Sequence, residues 1–137
     1  MEPFVGYVDG ASRSVQNLSS AAWAIFAPSG ELVSFKGICI GCSTNNIVEY
    51  NALVELLSDA ISLGICQIII TLDSQLVVLQ IKNVYIVRNP TIHRIFLRVC
   101  LLEIHFDYIQ YQHNSRNFNT LIDSLANYVL NRHLRNM

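Results

Sequence analysis

Four acids in this chain stand where the surrounding pattern gives them chemical use: Asp9 in VDG, Glu49 in NNIVEYNAL, Asp73 in TLDSQLV, and Asp123 in DSLANYVL. His113 precedes the last of them, at the start of a polar loop. Carboxylates gathered closely repel one another and raise one another's pKa, so such a cluster calls for compensating cations. Oxygen-only ligands select a hard divalent ion, Mg²⁺ or Mn²⁺. A histidine on an accessible loop adds a group that titrates near neutrality and moves protons.

Each residue also has a plainer reading. Asp9 and Asp73 each follow an apolar run, where Asp commonly opens a turn or caps a helix. Asn46-x-x-Glu49 and Thr120-x-x-Asp123 have capping-box spacing, in which the acid satisfies backbone donors of its own helix. His113 alone reads as a surface residue. Joint placement therefore decides, and that depends on the elements that carry these residues.

FVGYVD, residues 4–9, mixes aromatic and β-branched types and stops at Gly10, as a strand does, and a polar loop from Ser12 to Ser20 follows. AAWAIFA and ELVSFKGICI are two further strands around the turn signal Pro28-Ser29-Gly30. The period then changes: Ile47, Tyr50, Leu53, Val54, Leu57, Ala60 and Ile61 recur at helical spacing, with Gly64 just beyond. CQIIITLD is a continuous apolar run, as a strand buried on both faces and paired in parallel requires. SQLVVLQIK reads as a short helix, and Val87-Arg88-Asn89-Pro90 breaks the chain. TIHRIFLRVCLLEI is helical again, while HFDYIQYQH alternates as a strand with Phe106, Tyr108 and Gln110 on one side. After NSRNFN, the residues Leu121, Leu125, Tyr128 and Val129 mark a closing helix. The order β-β-β-α-β-α-α-β-α predicts an α/β fold with a mixed sheet.

Composition bounds the rest. A chain of 137 residues, 52% hydrophobic and 14% charged, is expected to fold as one domain spanning 1–137. No apolar run reaches the length of a membrane span, and MEPFVGYVDG lacks the pattern of a secretory leader, so an intracellular protein, cytoplasmic or nuclear, is expected. Cys39 and Cys42 form a lone CxxC in a strand-like segment, where positions three apart face opposite ways, so free thiols are expected and not zinc. The net charge of −1 argues for weak binding to any nucleic acid, although Arg88, Arg94 and Arg98 share one window.

Taken together, the acids and their neighbours resemble the type 1 ribonuclease H family. STNNIVEY is similar to its TNN-x-x-E segment, DSQLVV to its DSQ segment and DSLANYVL to its D-x-L-A ending. His113 and Asn119 fall where the family places its mobile-loop histidine and an asparagine before the last acid. DSQLVVLQIKNVYIVRNP with the NSRNFN loop looks most like the ribonuclease H domain of plant retrotransposon polyproteins.

The resemblance implies a five-stranded mixed sheet, three strands antiparallel and then parallel additions, flanked by helices. It implies that Asp9, Glu49, Asp73 and Asp123 hold two Mg²⁺ ions, with Mn²⁺ as a substitute, and that His113 assists proton transfer. Cleavage of the RNA strand of RNA/DNA hybrids would then yield 5′-phosphate and 3′-hydroxyl products. Gly10, Ala11, Asn45, Asn46, Gln75 and Asn119 would contact substrate, and a reverse transcriptase polymerase domain, in cis or in trans, would be a partner. The chain departs from the longer bacterial members in lacking a basic handle between Asp73 and Pro90, where only Lys82 and Arg88 are basic. Two other functions fit the same residues: a catalytically silent binding module of a reverse transcriptase, and a related nuclease acting on DNA junctions or ends.

Overall fold

The computed structural model describes residues 2–13, 18–41, 43–114, 127–128, 131–132 and 134–135. Five strands form one sheet in the order β3-β2-β1-β4-β5. β1 (Phe4–Arg13), β2 (Leu18–Phe26) and β3 (Leu32–Ile40) are an antiparallel meander. β4 (Gln67–Leu72) adds parallel to β1, and β5 (Tyr108–His113) adds parallel to β4. Among the described residues are the helices α1 (Asn45–Ser62), α2 (Gln75–Ile81) and α3 (Pro90–Glu103), and residues 127–128, 131–132 and 134–135 are helical as well. The expected five-stranded mixed sheet is the sheet observed.

α1 is the element against which the site is built. Thr44 caps it by accepting the Ile47 N–H at 3.4 Å, and it ends at Leu63, with Gly64 following in the left-handed region at φ 76°. Its inner face places Tyr50, Leu53, Leu56 and Leu57, all fully buried, against Val8, Ile25, Ile68, Ile70 and Leu72 of the sheet. Burial of side chains of this size stabilises a fold by about 1.5–3 kcal/mol each. The helix is also tied to the meander by a polar knot: Asp59 accepts from Trp23 Nε1 at 3.0 Å, from the Ser34 hydroxyl, and from Lys36 Nζ at 3.0 Å. Burial raises the Asp59 pKa, but these three donors outweigh it and hold the carboxyl below the usual range.

Two sequence expectations need correction. The strand expected over 4–9 and the polar loop expected from Ser12 to Ser20 are instead a longer hairpin: Gly10, Ala11, Ser12 and Arg13 pair with Ala21, Ser20, Ser19 and Leu18. A ladder of backbone hydrogen bonds needs no alternating apolar side chains, and small residues such as Ser19 and Ser20 are buried within it. In β5 Tyr108 and Gln110 share the exposed side, and Ile109 and Tyr111 face the core, but Phe106 does not belong with Tyr108 and Gln110. Phe106 is buried, but from the turn after α3, where its N–H donates to Glu103 O at 3.1 Å, so the face parity begins anew at Tyr108.

Cys39, Cys66 and Cys100 are free thiols. Cys42 lies outside the described residues. Among the described residues no helix is long and apolar enough to cross a membrane.

Candidate active site

The site begins with register. The parallel pairing of β1 with β4 ends at Val8 and Leu72, and Leu72 pairs in turn with His113 of β5. Asp9 follows Val8 in β1, Asp73 follows Leu72 just past the end of β4, and His113 stands level with Leu72 on β5. The carboxyl ends of parallel strands are where open α/β sheets bind ligands. Asp9 is not at the end of its own strand, because β1 continues beyond it with β2 alone, pairing Asp9 with Ala22. It lies at the end of the parallel part of the sheet. Its side chain is 6% exposed, and Oδ1 accepts from the Gly10 N–H at 2.8 Å.

α1 descends onto this corner at Gly10. A methyl group there would run into the Val48 side chain and lie 3.5 Å from the Glu49 backbone nitrogen, so glycine permits the close approach of helix to strand. Glu49 is thereby brought over the sheet end, only 6% exposed. Its Oε1 accepts from the backbone N–H of Asp73 at 2.9 Å and of Ser74 at 3.0 Å. The capping-box role is therefore not the one Glu49 plays: it satisfies donors at the β4–α2 junction, and Thr44 caps α1. Burial pushes its carboxyl up to about 7; the Ser74 amide pulls it back, the charge of Asp73 raises it, and the Asp73 amide lowers it.

The polar residues around the acids divide between two helix starts. Asn45 and Asn46 open α1, Gln75 opens α2, and both Asn45 and Gln75 are exposed. The two starts are joined by the Ser74 hydroxyl, which donates to Asn46 Oδ1 at 3.3 Å and accepts the Val77 N–H at 3.3 Å. Ser74 was not among the residues singled out in the sequence; its signal is its place between Asp73 and α2, where an N-cap belongs. His113 Nε2 contacts Asp73 O at 3.0 Å. A carbonyl only accepts, so Nε2 carries the proton, and Nδ1 of the neutral ring is the acceptor.

Glu49, Asp73, Asn46 and His113 are thus drawn into one corner, with Asp9 and Gly10 beside them in the sheet. Ala11 continues β1 from the same point, paired with Ser20. Asp123 and Asn119 lie outside the described residues. Among the described residues no three His, Cys, Asp or Glu side chains converge as a ready metal group. The donor chemistry nonetheless suits a hard divalent ion, since Asp9, Glu49 and Asp73 offer only carboxylate oxygens and Glu49 is buried beside a second acid.

The sheet order and this corner define a ribonuclease H-like α/β domain. Comparison with known proteins agrees. A family described as "Reverse transcriptase-like" matches residues 7–129. A curated ribonuclease HI of Halobacterium salinarum is 35% identical over 124 residues, which cover 90% of this chain and 62% of that protein. The crystal structure of ribonuclease H1 from the same archaeon superposes with a TM-score of 0.90 at 33% identity, covering 96% of this chain and 99% of that one. The N-terminal ribonuclease H domain of rv2228c from Mycobacterium tuberculosis gives 0.91 at 27% identity, with 99% of both chains covered. LC11-RNase H1, solved in complex with an RNA/DNA hybrid, gives 0.89 at 26% identity over 96% of this chain and 99% of that one. The chain belongs to the type 1 ribonuclease H family. These relatives are archaeal, mycobacterial and LC11 proteins, and none of the three bears on the narrower likeness to plant retrotransposons.

Proposed function

We propose that this chain is a metal-dependent endoribonuclease that cleaves the RNA strand of RNA/DNA hybrids, leaving 5′-phosphate and 3′-hydroxyl ends. The observation that carries the proposal is the hydrogen-bonded placement of buried Glu49 over Asp73, at the sheet end that Asp9 also occupies. Membership of the family and the hybrid bound to LC11-RNase H1 support it. Asp9, Glu49, Asp73 and Asp123 would hold two Mg²⁺ ions, or Mn²⁺, which when bound supply Lewis-acid activation of water and charge stabilisation at the phosphorus.

The residues of the chain do the rest. Glu49 has one oxygen committed to the Asp73 and Ser74 amides, which leaves Oε2 as the oxygen that would meet a cation. Asp9 is fixed by its own bond to the Gly10 amide. His113, oriented by Asp73 O, holds a proton at Nε2 and takes one at Nδ1. Asn45, Asn46, Gln75 and Asn119, with the backbone at Gly10 and Ala11, would contact the minor groove; 2′-hydroxyl contacts there distinguish RNA from DNA. The stretch 1–137 acts as one domain, and the chain spans about 62% of the length of the curated halobacterial relative. A reverse transcriptase polymerase domain, in cis or in trans, would supply the affinity that a net charge of −1 does not, and an origin in a plant retrotransposon polyprotein rests on the sequence resemblance.

A second reading, a catalytically silent binding module, is favoured by one observation: the low basic charge of the chain, net −1 with two lysines. Incubation of an end-labelled hybrid with and without Mg²⁺ separates the two. Cleavage of the RNA strand alone supports the nuclease; metal-independent binding without cleavage supports the silent module.

A further inference from the structure

The Ser74 hydroxyl has one proton to give. It already accepts the Val77 N–H as the N-cap of α2, and it donates to Asn46 Oδ1 at 3.3 Å. This bond ties down one end of the Asn46 amide. Were the amide reversed, Nδ2 would donate to Ser74 Oγ, the serine proton would lose its acceptor, and the end turned away from Ser74 would be an oxygen. The Ser74 backbone N–H is committed as well, to Glu49 Oε1 at 3.0 Å.

We infer that Ser74 is a positioning residue that sets the orientation of the Asn46 amide, so that the domain presents a hydrogen-bond donor to the minor groove of its duplex. The inference rests on the hybrid-cleaving function proposed above and adds how the groove is read. Among the base edges of the minor groove, acceptors, N3 of purines and O2 of pyrimidines, appear at every base pair, whereas a donor appears only at guanine. A donor fixed in advance engages any sequence; an amide free to turn over loses part of its binding in choosing. Through its two hydrogen-bonding groups, Ser74 holds the groove-reading asparagine and the acid Glu49 in one relation to the start of α2.

The test uses Ser74→Gly, Ser74→Thr and Asn46→Ala in the full chain. Glycine is tolerated at an N-cap at a cost of a few tenths of a kcal/mol, so Ser74→Gly removes the hydroxyl and leaves the helix start. An amide free to take either orientation presents its donor about half the time, which raises the apparent Kd about twofold, whereas removing the amide loses one hydrogen bond to the duplex, about tenfold in affinity. Hybrid binding is measured by fluorescence anisotropy in EDTA, and KM and kcat in Mg²⁺. Ser74→Gly is expected to raise Kd and KM about twofold with kcat the same, Ser74→Thr to restore both, Asn46→Ala to raise Kd about tenfold, and Ser74→Gly to add nothing in an Asn46→Ala background. Unchanged Kd in Ser74→Gly, or a further loss in the Asn46→Ala background, overturns the inference while leaving the function standing. If the wild-type chain neither binds nor cleaves the hybrid, the function and the inference fall together.

Discussion

Glu49 Oε1 lies 2.9 Å from the backbone nitrogen of Asp73, a contact spanning 24 residues of sequence that fastens the first turns of α1 to the end of β4. A buried carboxyl beside another acid is costly, and the metal-free protein answers with two backbone donors and a raised pKa.

In metal-free protein this arrangement carries a pH signature. Glu49 titrates at about 7 in the fold against an ordinary value of 4.5, so the neutral form is the one the fold favours. Its contribution to stability is fully present below about pH 4.5 and is lost as the pH rises through 7, by about 1.4 kcal/mol per unit over that window. Urea unfolding in EDTA at pH 5 and pH 8 measures it. Glu49→Gln, which keeps the acceptor for both amides, is expected to flatten the difference, and Mg²⁺ to flatten it in the wild type.

Gly10 permits the contact between β1 and α1. Gly10→Ala forces a methyl group into Val48 and is expected to cost about 1–3 kcal/mol. Since the displaced segment carries Glu49, cleavage should fall further than the folded fraction does. A thermal melt and a rate per folded molecule, taken together, check this.

Asp59 lies away from the site and anchors α1 to the meander. Asp59→Ala leaves Trp23 Nε1 and the Ser34 hydroxyl without their acceptor, at a cost of about 1–3 kcal/mol, while the exposed Lys36 contributes little. Because the Asp59 pKa is lowered, its stabilisation is present above 3.8 and lost as the pH falls through the folded value. Chemical unfolding at neutral pH and in acid gives both quantities, with kcat of the remaining folded protein unchanged.

A net charge of −1 with two lysines, Lys36 and Lys82, predicts weak hybrid binding by the isolated domain and a shallow salt dependence, each neutralised phosphate contributing a slope of about −0.9 in log K against log salt. Anisotropy titrations at several salt concentrations measure it. Nanomolar affinity at physiological salt would contradict it, and fusion to a polymerase domain is expected to tighten binding.

The parts of the fold that were legible in the sequence are those fixed by local pattern. The apolar run CQIIITLD declares a strand with neighbours on both sides, and β4 has β1 and β5. Ile47, Tyr50 and Leu53 declare one face of α1, and all are buried or half-buried. Glu49 was ambiguous because capping is a local role, whereas its partners are residues brought close only by the tertiary fold. The hairpin extension through Arg13 is hidden because backbone pairing leaves no mark on polar side chains, and Phe106 departs from the side of Tyr108 and Gln110 because it is buried from a turn. Ser74 is the N-cap of α2, and its bond to Asn46 requires the two helix starts to meet.

The central claim is that the acids at this sheet end cleave RNA. An end-labelled RNA/DNA hybrid incubated in Mg²⁺ with the wild type, Asp9→Asn and Asp73→Asn tests it most directly. The account predicts RNA-strand cleavage by the wild type alone, with losses of about a thousandfold or more in both variants; full cleavage surviving either substitution would contradict it.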